Sequence, residues 1–405
     1  MRILLLTNEW GGHPGGLRRY LAQLAAALQE RGHHCAIAYA THLGANAISH
    51  AANVPEYGIP GLDLYSGRKP TPTLDMLDRV IQAESPDLIF FHAIRNAAVI
   101  RRLALTHPVV GMMHAYEAIC LRDTRRFYFK KKICPHALGW HCLINCHFLR
   151  KPARGGRLPR FASLGAAQDF LQACRAHTHL IVPSQYMVDA FVHNDFPPEK
   201  IFKLRHFTAL PPGDVEATYP RAKRILFVGR LTDRYKGIEC VLEALKKTTM
   251  DVHLTVAGAG SHLDRAKAVT FRLGLADRVH FLGWIVPGEV GPLYQNALAV
   301  VVPSVWAEPF GLVGIEAMAH GAPVIAFGVG GIREWIRDGV NGYEIPWLDT
   351  GRMAAAIDAL AAHPDRVKQF GMAGRKMVAE EFSESIYMDR LLALFAQVIS
   401  AGVQH

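Results

Sequence analysis

No run of about 18 consecutive apolar residues occurs in this sequence, so hydropathy offers no membrane-spanning helix. Low-complexity tracts and short-period repeats are also missing, which removes the fibrous and solenoid classes. Cysteine is scarce and odd in number, seven in 405 residues, which argues against a disulfide framework. Charged residues make up 20% and hydrophobic residues 50%, the balance of a globular enzyme rather than a disordered chain. The opening MRILLLTNEW carries too few apolar residues for a secretory signal before Asn8 and Glu9 interrupt it. It is expected to be a first buried strand in a cytoplasmic protein.

The length suits about two domains. Short apolar runs alternate with helical patterns. Ile3–Thr7, Cys35–Ala40, Leu88–Phe91, Val109–Met113 and Leu180–Val182 read as strands. Between the first two, Leu17, Tyr20, Leu21, Leu24, Ala25 and Leu28 recur at helical spacing, and Gly32 ends that helix. Repeated βαβ units predict an α/β chain with parallel sheets covered on both faces. Proline and glycine in LPPGDVEATYP break the rhythm. It restarts with strands at Ile225–Val228, Val252–Ala257, Val279–Phe281, Ala299–Val302, Pro323–Phe327 and Tyr343–Ile345. The expected plan is a Rossmann-like domain over 1–205, a linker over 206–222, and a second over 223–382. A helix over 383–405 is expected to pack back on the first domain. Ligands of such sheets bind beyond the carboxyl ends of the strands, so the site is expected where the two domains face each other.

Two glutamates, Glu308 and Glu316, stand eight positions apart in EPFGLVGIEAMAHGAPVI. Pro309 cannot sit in a helix interior, which leaves Glu308 in the preceding loop. A helix starting near Gly311 would present unpaired, partly positive N–H groups to a phosphate. Glu316, one to two turns in, could accept from a ribose diol, while Glu308 at the helix mouth faces a sugar. As an isolated pair they could equally be a dipole-favouring residue and a solvated surface charge.

The surroundings decide between these readings. The pair follows an apolar strand and precedes HGAPVIAFGVGGIREWIRDGVNGYEIP. That stretch resembles the donor half of retaining glycosyltransferases of the GT-B fold, in particular glycosyltransferase family 4. FVGRLTDRYKG, VAGAGSHLDRAKAV and FLGWIVPGEVGPLYQNA continue the resemblance over about 225–346. GGHPGGLRRYLAQLAAALQERGHH resembles the family's first glycine-rich loop and helix; the likeness is sparse over 41–180. The resemblance implies two Rossmann-like doubly wound domains and a nucleotide-diphosphate sugar as donor substrate. Arg230 and Lys236 would neutralise the diphosphate, and Gly15 and Gly16 would close over the sugar and phosphate. Glu308, Phe310, Gly311, Leu312 and Glu316 would complete the donor site. His114, after the strand VVGMM, would hydrogen-bond the sugar or align the acceptor. Fixed cations at a leaving diphosphate are what the chemistry needs, about 2–4 kcal/mol of transition-state stabilisation each. No Asp-x-Asp metal motif is present, so no metal and no further cofactor is expected.

The net charge of +10 is concentrated in one place. From Arg122 to Arg160 there are eleven Lys and Arg residues against one acid, Asp123. Within this insertion, about 117–160, Arg122–Lys132 interleaves cations with Phe127, Tyr128 and Phe129. That mixture suits an anionic bilayer surface. Cys120, Cys134, Cys142 and Cys146 lie in the same segment with spacing C-x13-C-x7-C-x3-C. Thiolates ligate zinc, but the C-x2-C knuckle is absent, so buried reduced thiols are the preferred reading and zinc the alternative.

The expectation is a retaining, metal-independent glycosyltransferase acting on a glycan or lipid-linked acceptor in cell-envelope polysaccharide or glycolipid synthesis, cytoplasmic and peripheral at the inner membrane face. One rival is another GT-B enzyme, an epimerase or phosphorylase. The other is a non-catalytic protein that binds anions or nucleic acid through the basic patch; no nucleic-acid module is recognisable, so no specific nucleic-acid partner is expected.

Overall fold

The computed structural model describes every residue except 9, 11–15, 42–53, 63–70, 128–131, 147–148, 151–159, 162, 214–218, 220, 233 and 403–405. The chain divides into two compact units, one of Met1–Leu204 with Met388–His405 and one of Arg205–Tyr387.

The N-terminal unit runs β1 (Arg2–Thr7), α1 (Gly16–Glu30), β2 (His34–Thr41), β3 (Glu56–Pro60), α2 (Thr71–Glu84), β4 (Leu88–His92), α3 (Ala97–Leu103) and β5 (Val109–Met112). It continues through α4 (His141–Asn145), a two-strand antiparallel pair β6 (Leu149–Arg150) and β7 (Arg160–Phe161), α5 (Leu164–His177), β8 (His179–Val182), α6 (Gln185–Val192) and β9 (Ile201–Lys203). Seven strands form a parallel sheet in the order β3-β2-β1-β4-β5-β8-β9. Its central strands read LLLT and LIFFH because both faces are covered, so every residue of β4 is buried. Tyr20, Leu21, Leu24, Ala25 and Leu28 form the buried stripe of α1, at the spacing the sequence predicts. Helix starts are capped by side chains. The Asn96 carboxamide oxygen accepts from the Ala98 and Val99 N–H groups, and the Ser184 hydroxyl accepts from the Met187 N–H.

The second unit runs β10 (Arg224–Val228), α7 (Ile238–Lys247), β11 (His253–Ala257), α8 (Leu263–Arg272), β12 (Val279–Gly283), α9 (Gly291–Asn296) and β13 (Ala299–Val302). Then follow α10 (Leu312–Ala319), β14 (Val324–Phe327), β15 (Gly342–Ile345), α11 (Thr350–Ala362) and α12 (Pro364–Glu381). Six parallel strands are ordered β12-β11-β10-β13-β14-β15. The last helix, α13 (Glu384–Gly402), crosses the division between the units. In its N-terminal-unit part Phe395 meets Phe90 of β4 edge-on, with centroids 5.0 Å apart.

The two-sheet α/β plan agrees with the sequence reading. Within the parallel sheets two strands escaped it, β3 (EYGIP) and β9 (IFK), both at edges of the sheet; the short pair β6 and β7 was not foreseen either. Edge strands need no continuous apolar run and tolerate proline and glycine, which removes the signal the reading relied on. In each sheet the order reverses between the first strand and its non-sequential neighbour, β1/β4 and β10/β13. Ligands of open α/β sheets bind at such switch points.

Candidate functional site

The loops leaving β10 and β13 lie at the second unit's switch point, and with α10 they carry Arg230, Lys236, Glu308, Phe310, Gly311, Leu312 and Glu316 of the predicted donor set. After β13 the chain runs through Ser304 and Trp306 to Glu308, which is only 5% exposed. Its carboxylate is nonetheless well served. Lys236 Nζ donates to Oε1 at 3.1 Å and to Oε2 at 3.0 Å. Ser304 Oγ and Trp306 Nε1 donate to Oε2 at 2.6 and 2.8 Å. A carboxylate oxygen has two lone pairs, and among the described residues Oε1 accepts only from Lys236. Glu308 is thus a charged acceptor with capacity left for a ligand hydroxyl.

Lys236 ends a 3-10 turn, Arg234–Lys236, just before α7. Its ammonium also lies 5.6 Å from the Trp306 ring centroid, a cation–π distance. The two loops are tied by a backbone bond from the Val305 N–H to the Tyr235 carbonyl, 2.9 Å. That approach requires glycine at 237: φ is +72°, and a Cβ there would lie 1.9 Å from the Pro303 carbonyl oxygen. A third loop, after β14, supports Glu308 from behind. The Gly331 N–H donates to the Glu308 carbonyl at 2.7 Å, and Gly330 adopts φ +60°.

Phe310 is buried, and its carbonyl accepts from the Trp335 indole at 2.7 Å. Gly311 takes φ +84° as the cap of α10, so the helix starts where the sequence places it. Leu312 opens the helix, half-buried. Glu316 is half-buried on α10, and its Oε2 accepts from the Tyr294 hydroxyl at 3.1 Å. The two glutamates therefore have different partners, Lys236 for one and Tyr294 for the other. Beneath the loop, His206 packs against the Phe310 ring with centroids 5.5 Å apart. Burial pushes its pKa down to about 4. Arg230 follows β10, is exposed, and pairs with none of the described residues.

The N-terminal unit groups a different set of side chains at the end of β4. His92 is fully buried, and its Nδ1 shares a hydrogen bond with His114 Nε2 at 3.1 Å. Tyr20 of α1 lies against both rings, at 5.7 and 5.2 Å. The buried Glu117 carboxylate accepts from the His114 N–H at 3.3 Å and the Ala115 N–H at 2.9 Å. Desolvation raises its pKa. His114 is thus held at its ring by His92 and at its backbone by Glu117. Gly16 opens α1, whereas Gly15 lies outside the described residues.

The insertion departs from one expectation. Arg125, one of the cations assigned to an anionic surface, is 6% exposed and turned inward, donating to the Cys134 carbonyl at 3.1 Å. A short bridge between Arg126 and Ile133 folds this segment on itself and draws Arg125 in. Lys132 is exposed; 128–131 lie outside the described residues. Cys120, Cys134, Cys142 and Cys146 are all buried free thiols.

Sequence reasoning missed Ser304, Trp306, Tyr294, Trp335, His92 and Glu117. Trp306 and Ser304 stand two and four residues before Glu308. In an extended loop that spacing places side chains on one side, so S-x-W-x-E was a signal in hand. His92 was one of 21 histidines. Nothing in a terminal strand position distinguished it before the partner strand was known.

Comparison with known proteins bears directly on this arrangement. A model described as "Glycosyltransferase Family 4" matches residues 14–204, and one described as "Glycosyl transferases group 1" matches residues 214–377. The alpha-maltose-1-phosphate synthase of Mycobacterium tuberculosis is 28% identical over 424 residues, covering 98% of this chain and 100% of that one. An uncharacterized glycosyltransferase of Methanocaldococcus jannaschii is 44% identical over 138 residues, which span 34% of this chain and 35% of that relative. Among solved structures, sucrose-phosphate synthase from Thermosynechococcus elongatus superposes with TM-score 0.76 at 22% identity, covering 99% of this chain and 100% of that one. The Anabaena protein HepE, in complex with UDP, superposes with TM-score 0.71 at 17% identity, covering 98% and 100%. The chain is a GT-B glycosyltransferase of family 4.

Proposed function

We propose that this glycosyltransferase transfers a sugar from a nucleotide-diphosphate sugar to a glycan or lipid-linked acceptor, with retention of anomeric configuration and without a metal ion. The acceptor belongs to cell-envelope polysaccharide or glycolipid synthesis. The observation that carries the reading is the Glu308 carboxylate, clamped by Lys236 and Trp306 at the switch point, with Arg230 exposed on the same loop as Lys236. Fixed cations there suit a leaving diphosphate, because they need no reorganisation as negative charge develops. In this reading Glu308 Oε1 accepts from a sugar hydroxyl, Glu316 from the ribose, and the α10 amides with Phe310, Gly311 and Leu312 surround the phosphates. Gly15 and Gly16 are assigned to the sugar phosphate from the sequence resemblance alone. His114 serves the acceptor side, with its ring oriented by His92. A solved neighbour in complex with UDP supports a nucleotide donor.

A peripheral location at the inner face of a membrane is part of the proposal. It draws on Trp140 and Ile144, 67% and 66% exposed on and beside α4, with Leu143 between them and Lys132 nearby in the chain. Rings and aliphatic side chains beside cations suit the headgroup region. Among the described residues no helix is long and apolar enough to cross a membrane.

The test is a thermal-shift panel with UDP, GDP, ADP, dTDP and CMP in EDTA, on the wild type and Glu316→Ala. One diphosphate at about 100 times its Kd should stabilise the wild type by roughly 2.7 kcal/mol, and Glu316→Ala should lose most of that. Folded protein unmoved by every nucleotide would sink the donor reading.

A further inference from the structure

Glu316 rides on a short helix, α10, whose C-terminal end is fastened by cations from distant parts of the second unit. The last carbonyls of a helix have no partner within it. Here the Ala319 carbonyl accepts from Arg375 of α12, and the His320 carbonyl accepts from Arg221 Nη2 at 3.0 Å. Arg221 stands near the end of the segment expected as a linker. Its other terminal nitrogen, Nη1, donates to the Tyr294 carbonyl of α9 at 2.7 Å. One guanidinium therefore serves the C-terminal ends of both α9 and α10, where the helix dipoles favour positive charge. Tyr219 reinforces the joint. The Arg221 guanidinium lies 4.5 Å from the centroid of its ring, and its hydroxyl donates to the Gly321 carbonyl. Gly371 of α12 leaves room for that hydroxyl, since a Cβ there would lie 2.0 Å from it.

The same arrangement fixes Tyr294. It is 3% exposed, its ring packs on His320 with centroids 5.2 Å apart, and its carbonyl is held by Arg221. His320 is oriented in turn. Its Nδ1 bonds the Glu316 carbonyl at 2.9 Å, and a carbonyl can only accept, so Nδ1 carries the proton. Out of this packing the Tyr294 hydroxyl donates to Glu316 Oε2 at 3.1 Å. A half-buried glutamate keeps several rotatable bonds, and freezing them when a ligand arrives costs affinity. A bond from a buried phenol removes that cost in advance. Tyr294 is a neutral donor, so it orients the carboxylate without cancelling its charge. A carboxylate offers about four lone-pair sites, and the phenol takes one.

We propose that Tyr294 is a positioning residue for donor recognition: from its seat between Arg221 and His320 it aims the Glu316 carboxylate at the ribose hydroxyls of the nucleotide. The inference rests on the reading of Glu316 as the ribose acceptor and adds what makes that acceptor selective. A carboxylate held in one orientation meets a ribose diol with directed lone pairs. A nucleotide lacking one of those hydroxyls leaves a partly desolvated acceptor unmatched, and affinity falls. Discrimination between ribonucleotides and deoxyribonucleotides therefore depends on Tyr294 as well as on Glu316. If Tyr294 only filled the core, loss of its hydroxyl would weaken both kinds of nucleotide alike.

The test is titration calorimetry on the full chain with UDP, GDP and ADP and with the 2′-deoxy and 3′-deoxy form of each. The ribonucleotide that wild type prefers should bind about tenfold less tightly to Tyr294→Phe, with the weaker-binding deoxy form changed by less than about twofold. In a Glu316→Ala background Tyr294→Phe should change nothing. Arg221→Lys keeps the charge but not the forked reach to two carbonyls, and it should shift affinity the same way by about threefold. That variant decides the matter should Tyr294→Phe not fold. Two results overturn the positioning role while Glu316→Ala still loses the ribonucleotide: unchanged ribonucleotide affinity in Tyr294→Phe, or equal weakening of the ribo and deoxy forms. If Glu316→Ala binds the ribonucleotide as wild type does, or no nucleotide binds the folded wild type, the reading of Glu316 itself fails and the role of Tyr294 falls with it.

Discussion

Replacing Lys236 by methionine removes the only cation among the described residues that pairs with Glu308 and keeps the length of the side chain. The carboxylate is 5% exposed, so the charge left behind cannot reach bulk water. Breaking a buried ion pair from one side costs about 3–5 kcal/mol. The lower end applies here, because the Lys236 side chain is 31% exposed and already screened, and because Ser304 and Trp306 still donate to Oε2. The expected loss is therefore about 3 kcal/mol. Glu308→Gln in the wild-type background keeps an acceptor for those two donors but strands the ammonium, at a cost of about 1–2 kcal/mol. The combination removes both charges and should cost less than Lys236→Met alone. In the methionine background Glu308→Gln becomes stabilising by about 1 kcal/mol, a coupling of about 2–3 kcal/mol between the two positions. The assay is urea unfolding followed by tryptophan fluorescence in all four proteins, read as the midpoint of the second unit's transition, since a two-unit chain need not unfold in one step. Sugar transfer should be lost in all three variants, including the double variant whose stability is partly regained. If Glu308→Gln is equally costly with and without Lys236, the pair does not carry the energy assigned to it and the account of the clamp fails.

Three further outcomes follow from the same packing. Gly330→Ala puts a Cβ 2.3 Å from the Glu308 carbonyl oxygen at φ +60°; the backbone strain costs about 1–2 kcal/mol, and the displaced Glu308 should lower transfer by about a hundredfold, measured as kcat on the best donor. His206 is held neutral in the fold, with its pKa lowered from 6.5 to about 4 by burial, so the unfolded chain binds the extra proton. Its contribution is complete above about pH 6.5 and is lost as pH falls toward 4, by roughly 3 kcal/mol in total; unfolding midpoints of wild type and His206→Phe should diverge across that window, and parallel pH profiles would refute it. Phe395→Ala removes the ring that meets Phe90 and should cost about 3 kcal/mol, seen as faster amide exchange in 388–402; unchanged exchange there would refute the docking of α13.

How legible the molecule was depends on how local each signal is. The βαβ rhythm appeared in the sequence because a strand covered on both faces must be apolar throughout, as LIFFH is. The edge strands β3 and β9 were missed because exposure lifts that demand. The start of α10 was visible in Pro309 and Gly311, whose backbone preferences are properties of the residues themselves. The insertion was legible as composition only: its cations and cysteines could be counted, but not which cation turned inward.

By itself, then, the sequence determined the two parallel sheets, the loop-to-helix break at Glu308–Gly311, and the residue types brought to the switch points, since each rests on near-neighbour preferences. Only the tertiary structure decided that Lys236 closes on Glu308 across 72 positions, that His92 holds His114, and that Arg125 faces buried cysteines rather than solvent. Those pairings depend on strand order, loop approach and burial. A charge buried at one point of the chain must find its partner wherever the fold brings one, and no local pattern records where that will be.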